Sequence, residues 1–266
     1  MALRPCSYSM RALNLLLVLI LPLAACSLLP DQIDETEGWS AQKLYSKAKE
    51  ALDEGSYESA INYFEKLEAR YPFGQYAQQA LLETAYAYYK YDEPESATAT
   101  LDRFIKTYPR NPHIDYAYYL KGLVNFDRTS TLLDRYLPRD PTERDAGAAR
   151  DSFFDFQQLV QRFPDSKYAK DARLRMAYLR NNLAKYDVHV ADYYMRRGAY
   201  IAAANRAKHV IEKYPRTPAV PEALKILIQA YQAMGLDELA ADAKRVLELN
   251  FPAEAGEDRE PEQADS

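Results

Sequence analysis

"RYPFGQYA", residues Arg70 to Ala77, follows a run of apolar residues at helical spacing and halts it with an aromatic residue and a proline. The same pairing returns in "TYPRNPHI", "RFPDSKYA", "KYPRTPAV" and "NFPAEAGE", each time after another helical run. Its prolines are Pro72, Pro109, Pro164, Pro215 and Pro252, at intervals of 37, 55, 51 and 37. A proline has no backbone donor and pushes the residue before it out of the α region, so every pair predicts a helix end.

Counting back from these prolines exposes a repeat. Twelve residues upstream stand Ala60, Ala97, Ser152, Ala203 and Ala240, and seventeen upstream stand Gly55, Asp92, Gly147, Gly198 and Gly235. A glycine can end one helix with φ > 0, and a small side chain five residues later lets the next helix approach closely. Between the marks Tyr57, Ala60, Ile61, Phe64 and Leu67 share one stripe, as do Ala97, Leu101, Phe104 and Ile105. One helix pair cannot bury such a stripe alone, whereas stacked pairs can. In the first unit Leu44, Ala48, Gly55, Tyr57, Ala60, Phe64 and Pro72 resemble the signature positions of the tetratricopeptide (TPR) repeat. The expected fold is all-α, a right-handed α-solenoid of five TPR helix hairpins. They span about 39–72, 73–109, 110–164, 165–215 and 216–252, within a repeat domain over 39–252.

Two intervals exceed 37. The first holds "DRTSTLLDRYLPRDPTERD", Asp127 to Asp145, whose Pro138 and Pro141 forbid a regular helix. It reads as a loop between the two helices of repeat three, either a plain surface insertion or a partner-binding loop. The second contains no Gly or Pro from Asp165 to Arg197, and Asp165 or Ser166 can cap its start. Its 14 extra residues are close to four helical turns, so the first helix of repeat four should lengthen to roughly 50 Å and overhang its neighbours. The overhang would carry "LAKYDVHVADYYMRRGAY", Leu183 to Tyr200. Its tyrosines either pack on adjacent helices or form an exposed Tyr/Arg interface.

The N-terminus predicts export. Arg4 and Arg11 precede the apolar run "LNLLLVLILPL", Leu13 to Leu23, which is short for a membrane span and has the charge order of a secretory signal. "LAAC", Leu23 to Cys26, resembles the bacterial lipobox. That resemblance implies a signal peptide over 1–25, lipidation of Cys26 with N-palmitoyl and S-diacylglycerol groups, and a linker over 26–38. Several acyl chains, each CH₂ worth roughly 0.8 kcal/mol when buried, make such an anchor effectively permanent. Cys6 would leave with the signal, so no disulfide is expected. Ser27 rather than Asp after the cysteine resembles outer-membrane sorting in Gram-negative lipoproteins.

The composition limits the function. Of 266 residues 27% are charged, 48% are apolar, 23 are Tyr and only 8 are Gly, which suits an ordered helical protein. Without residues 1–25 the chain carries 32 basic and 39 acidic side chains, a balance that argues against nucleic acid. The tail over 253–266, "AEAGEDREPEQADS", has six acids and one Arg and reads as disordered and solvating. His113, His189 and His209 fall in different repeats with no ligand spacing, and no phosphate loop, G-x-S-x-G or retained thiol is present. No enzyme, metal or cofactor is expected.

The specific combination is a lipobox, five repeats, "RYPFGQYAQQA", "IDYAYYLKGL" and "LAKYDVHVADYYMRRGAYIAAANR". Together they resemble the BamD (ComL) family of the β-barrel assembly machinery. The resemblance implies a non-catalytic scaffold, lipid-anchored in the outer membrane and facing the periplasm. Its implied partners are the POTRA region of BamA, the lipoproteins BamC and BamE, and unfolded outer-membrane β-barrel proteins. The resemblance implies substrate contacts at Tyr71, with Phe73 beside it, and BamA contacts at Arg206, together with Arg197 and Tyr194. The alternative reading is a peptidoglycan-associated TPR lipoprotein of the envelope.

Overall fold

The computed structural model describes residues 34–128 and 146–253. The signal segment, Cys26, most of the linker, most of the loop from Asp127 to Asp145 and nearly all of the acidic tail lie outside them. Residues 34–40 form turns by themselves, in which the Asp34 carboxylate accepts from the Thr36 backbone N–H at 3.1 Å and its hydroxyl at 2.7 Å.

From residue 41 onward the described residues form ten α-helices in sequential hairpins. They are α1 (Ala41–Asp53), α2 (Tyr57–Arg70), α3 (Gln75–Lys90), α4 (Pro94–Thr107) and α5 (Ile114–Asp127), followed by α6 (Gly147–Arg162), α7 (Ala169–Arg196), α8 (Tyr200–Lys213), α9 (Val220–Ala233) and α10 (Asp237–Asn250). Each helix packs on its neighbours in sequence, and α1 also meets α3, α3 meets α5, and α7 meets α9.

The aromatic residues before the five prolines close the second helices in one way. Tyr71, Tyr108, Phe163, Tyr214 and Phe251 have φ between −121° and −137° and ψ between 48° and 64°. Each returns its N–H to the carbonyl four residues back at 2.8–2.9 Å, so the last helical bond is made before the proline interrupts the ladder. The accepting residues, Leu67, Phe104, Leu159, Val210 and Leu247, are all buried. Cap and core are thus set one helical turn apart. The small residues twelve upstream, Ala60, Ala97, Ser152, Ala203 and Ala240, are buried between the paired helices. At Ser152 the hydroxyl that distinguishes it from the alanines donates to the Gly122 carbonyl at 2.9 Å, which offsets the cost of burying it.

The turns of hairpins one, two, four and five use the left-handed region, at Gly55 (φ 78°), Asp92 (φ 63°), Gly198 (φ 71°) and Gly235 (φ 70°). Asp92 is one of the acidic/amide residues that tolerate this conformation. Gly147 does not close a helix as the spacing predicts; it is the first residue of α6. The connection from Asp127 to Gly147 is long in sequence, so the chain has no two- or three-residue link to close at this position. The close approach in that hairpin is made by another glycine. A Cβ on Gly122 would stand 2.5 Å from the Phe156 ring, so α5 and α6 touch where only a hydrogen fits.

The lengthened helix of repeat four exists, with corrections to its start and its surroundings. It has 28 residues, about 42 Å at 1.5 Å per residue, and starts at Ala169. Neither Asp165 nor Ser166 is its cap. Ser166 accepts the Tyr168 N–H at 3.2 Å and donates to Asp115 at 2.7 Å, and the N-cap position falls to Tyr168. The expected overhang is covered. Ala172 and Leu179 sit in a core built from α3 to α7, while Ala184, Val188 and Ala191 sit in a second core built from α7 to α9 and Ala243 of α10. Helix α7 is therefore the element the two cores share.

Candidate interaction surfaces

The first joint differs from the other three internal joints. Helix α3 begins three residues after Pro72, whereas α5, α7 and α9 each begin five residues after their prolines. Gly74, at φ 101°, allows this sharper exit. The geometry turns the apolar side chains outward: Phe73 is 90% exposed and Tyr71 is 37% exposed. The corresponding Tyr108, Phe163, Tyr214 and Phe251 are all partly buried. Tyr108 packs on Phe104 at 5.6 Å between ring centres, and Phe163 packs on Tyr118 at 5.8 Å. The two residues that the resemblance singles out are thus exposed aromatics on either side of Pro72.

Tyrosine hydrogen bonds and ring contacts link hairpins one to four. The Tyr119 hydroxyl donates to Asp171 Oδ2 at 2.7 Å, and Arg175 Nε donates to the same oxygen at 2.6 Å. Tyr119 stacks on Tyr168 at 4.7 Å, Tyr116 packs on Tyr168 at 5.5 Å, and the Arg175 guanidinium lies 4.8 Å from the Phe126 ring centre. Tyr89 donates to Asp127 and Tyr88 to Glu65 at 2.6 Å. Burial and the Glu65 hydrogen bond push the Tyr88 hydroxyl up to about 12. Burial opposes charge on Asp171, but the hydrogen bonds from Arg175 and Tyr119 prevail and hold its carboxyl below the usual range. These hydroxyls are donors throughout the physiological range, tying hairpin one to two, two to three and three to four. The sequence reading missed them; the signal available was the tyrosine spacing within "IDYAYYLKGL".

In the third hairpin Asp155 is buried, accepts from Asn125 at 2.8 Å and lies 3.4 Å from Lys121 Nζ, which reaches Asp102 at 2.7 Å. Burial pushes the Asp155 carboxyl up despite these partners. This arrangement ties α4, α5 and α6 together.

The three residues assigned to a partner occupy different settings. Arg206 of α8 places Nη1 3.1 Å from Oδ1 of Asp187, which is buried in α7, and His209 Nε2 is 3.6 Å from the other oxygen. Arg206 therefore has an internal partner that fixes where its guanidinium sits. Arg197 closes α7, with its guanidinium 5.9 Å from the Tyr193 ring centre. Tyr194 is partly buried against the second core, as is Tyr200, while Tyr193 is exposed. The tyrosines of this segment thus divide between packing and surface.

Among the described residues no group of His, Cys, Asp and Glu is placed to hold a metal ion, and no helix is long and apolar enough to cross a membrane. Stacked helix hairpins with exposed aromatic and arginine side chains at their joints and turns define a helical-repeat scaffold. The protein-family description "YfiO: Outer membrane lipoprotein" matches residues 38–247. The outer membrane protein assembly factor BamD of Neisseria meningitidis serogroup A is 48% identical over 217 residues, 82% of this chain and 81% of that protein. The BamD of Xylella fastidiosa (strain Temecula1) is 40% identical, over 81% of this chain and 74% of its own, and that of Vibrio cholerae 38% identical, over 86% and 93%. The chain belongs to this BamD (YfiO) family of outer membrane lipoproteins, whose members are non-catalytic assembly factors. Among solved structures, the P58(IPK) TPR domain aligns with a TM-score of 0.41 at 15% identity, over 82% of this chain and 63% of that one. MamA aligns at 0.39 and 15%, over 83% and 97%. The hairpin description above rests on this chain's own helices.

Proposed function

We propose that the protein is a lipid-anchored scaffold that holds the machinery inserting β-barrel proteins into the outer membrane together with its substrates. The observation that carries the reading is membership of the BamD family across more than four-fifths of the chain. The solvent-exposed pair at the first joint supports a division of labour.

In this reading Cys26 carries the N-palmitoyl and S-diacylglycerol groups, and residues 26–38 link the anchor to a repeat domain over 39–252 that faces the periplasm. Phe73 and Tyr71 receive an unfolded barrel segment: an exposed aromatic pair offers apolar contact at low entropic cost, because each ring has only two side-chain torsions to fix. Arg206, Arg197 and Tyr194 contact the POTRA region of BamA, and BamC and BamE are further partners. The Asp187 carboxylate supports this role by pre-positioning Arg206, so that less side-chain freedom is lost on binding.

The reading is tested by solubilising envelopes that contain the intact lipoprotein and identifying what copurifies. Recovery of BamA and its accessory lipoproteins is expected. Recovery of murein fragments without BamA would instead establish the peptidoglycan-associated alternative.

A further inference from the structure

Helix α7 belongs to both cores, but through different parts of its length. Ala172 and Leu179 lie in the first core, and Ala184, Val188 and Ala191 lie in the second. From Leu179 to Ala184 the chain runs through Arg180, Asn181, Asn182 and Leu183, about 7.5 Å of helix. Among the described residues α1 to α6 pack among themselves and on the first part of α7, while α8 to α10 pack among themselves and on the second part. No comparable helix packing joins the two sets directly, so α7 is the connection between them. Arg150 of α6 lies 5.8 Å from the Tyr186 ring centre and within electrostatic reach of Tyr214 at the fourth joint. Charge interactions fall off slowly with distance, so this attachment tolerates a change of angle.

The stretch between the cores is poorly suited to a stiff helix. Asparagine has a low helix propensity because its amide competes for backbone groups, and here two stand in succession. Asn181 is exposed and Asn182 is half-buried. An asparagine amide that turns to the carbonyl four residues back, Ala177 or Tyr178 here, opens the helical ladder and bends it. Beside them Arg180 buries its Nε with no hydrogen-bond partner among the described residues, a cost that the straight helix retains. A bend that admits water to this atom removes the cost.

We propose that α7 is a hinge that bends at Asn181 and Asn182, about which hairpins one to three swing as one body relative to hairpins four and five. Each body keeps its own core through the motion, so the angle changes without either core being broken. The use of the hinge rests on the reading that the first joint receives the unfolded segment and hairpins four and five hold BamA. On that reading the hinge sets the angle at which the segment is presented.

With Cys6 removed and Cys26 acylated, introduced cysteines are the thiols that spin labels find in the intact lipoprotein. Glu58→Cys with Lys106→Cys reports within the first body, Glu212→Cys with Lys244→Cys within the second, and Lys106→Cys with Lys244→Cys across the hinge. All four positions are exposed. The distribution of label-to-label distances across the hinge is expected to be about twice as wide as either internal one. Asn181→Ala with Asn182→Ala strengthens the helix and should narrow it to the internal width, whereas Asn181→Gly should widen it further. The internal distributions should stay unchanged. Equal widths for all three pairs, or a width across the hinge that the alanine pair leaves as it was, overturns the proposal. The use of the hinge is read separately, as the rate of barrel-protein assembly in envelopes. The alanine pair should slow assembly several-fold while retaining as much BamA as the wild type. A narrowed distribution with an unchanged rate overturns the role in presentation. If the wild-type protein itself retains no BamA, the reading of the previous subsection fails instead, and the widths still decide the hinge.

Discussion

The core between α3 and α7 and the core between α7 and α10 are built from the same kind of hairpin with different side chains. Nine of the thirteen buried residues of the second are alanines, against four of fifteen in the first, where Phe104, Phe156 and Tyr118 fill the space. Small side chains let helices approach until backbones nearly touch, and little volume is then left to rearrange. Large ones hold helices apart by interdigitating, and the tyrosine hydroxyls at their edges pair with acids across repeats. The first core should thus be sensitive to the removal of volume and the second to its addition.

The largest effect should come from emptying the aromatic core. Phe156 is fully buried, touches the Tyr119 and Phe126 rings and lies against Gly122, so Phe156→Ala should cost about 3–5 kcal/mol, read from the urea midpoint. The opposite change tests the other core. Ala207 is fully buried, and Ala207→Leu should cost about 1–3 kcal/mol by overpacking α8, while the converse pattern would erase the contrast between the halves.

A smaller effect isolates the tyrosine network. Tyr119→Phe removes one hydrogen bond to the Asp171 carboxylate and should cost about 1 kcal/mol at pH 7. Because that carboxyl is held below its ordinary value in the folded chain, the stabilisation is present above the unfolded value, about 3.9, and disappears as the pH falls through the folded one. Denaturant midpoints of the two proteins should therefore converge in acid. A difference that persisted at pH 2 would assign the loss to ring packing instead.

The smallest effect on stability should accompany a functional one. Phe73→Ser changes a side chain that is already in water, so the midpoint should move by less than about 0.5 kcal/mol. Crosslinking of unfolded barrel proteins to the first joint should fall all the same.

What the sequence shows on inspection follows from local physics. The aromatic-proline pairs announce five helix ends because the steric conflict at the residue before proline depends on nothing distant. The small residues twelve upstream are legible for a related reason, since each sits opposite its own hairpin partner. Gly147 stands at the right spacing yet opens a helix, because spacing cannot tell a turn glycine from one that follows an insertion. The length of α7 could be anticipated from its lack of Gly and Pro. Its burial could not, since that depends on α8 and α9 folding back over it. Tyr71 and Phe73 were legible through the resemblance carried by "RYPFGQYAQQA", whereas the contact of Asp171 with Tyr119, 52 positions away, exists only once hairpins three and four stack, and that of Asp187 with Arg206 only once α7 and α8 pair.

The division between the halves is tested most directly by placing one photo-crosslinking residue at position 73 and, in a separate protein, at position 197. Both are activated in cells that are exporting a barrel protein. Position 73 should label the unfolded barrel protein and position 197 should label BamA. Labelling of the barrel protein only from position 197, or of BamA equally from both, would contradict the assignment of substrate to the first joint and partner to the alanine-packed half.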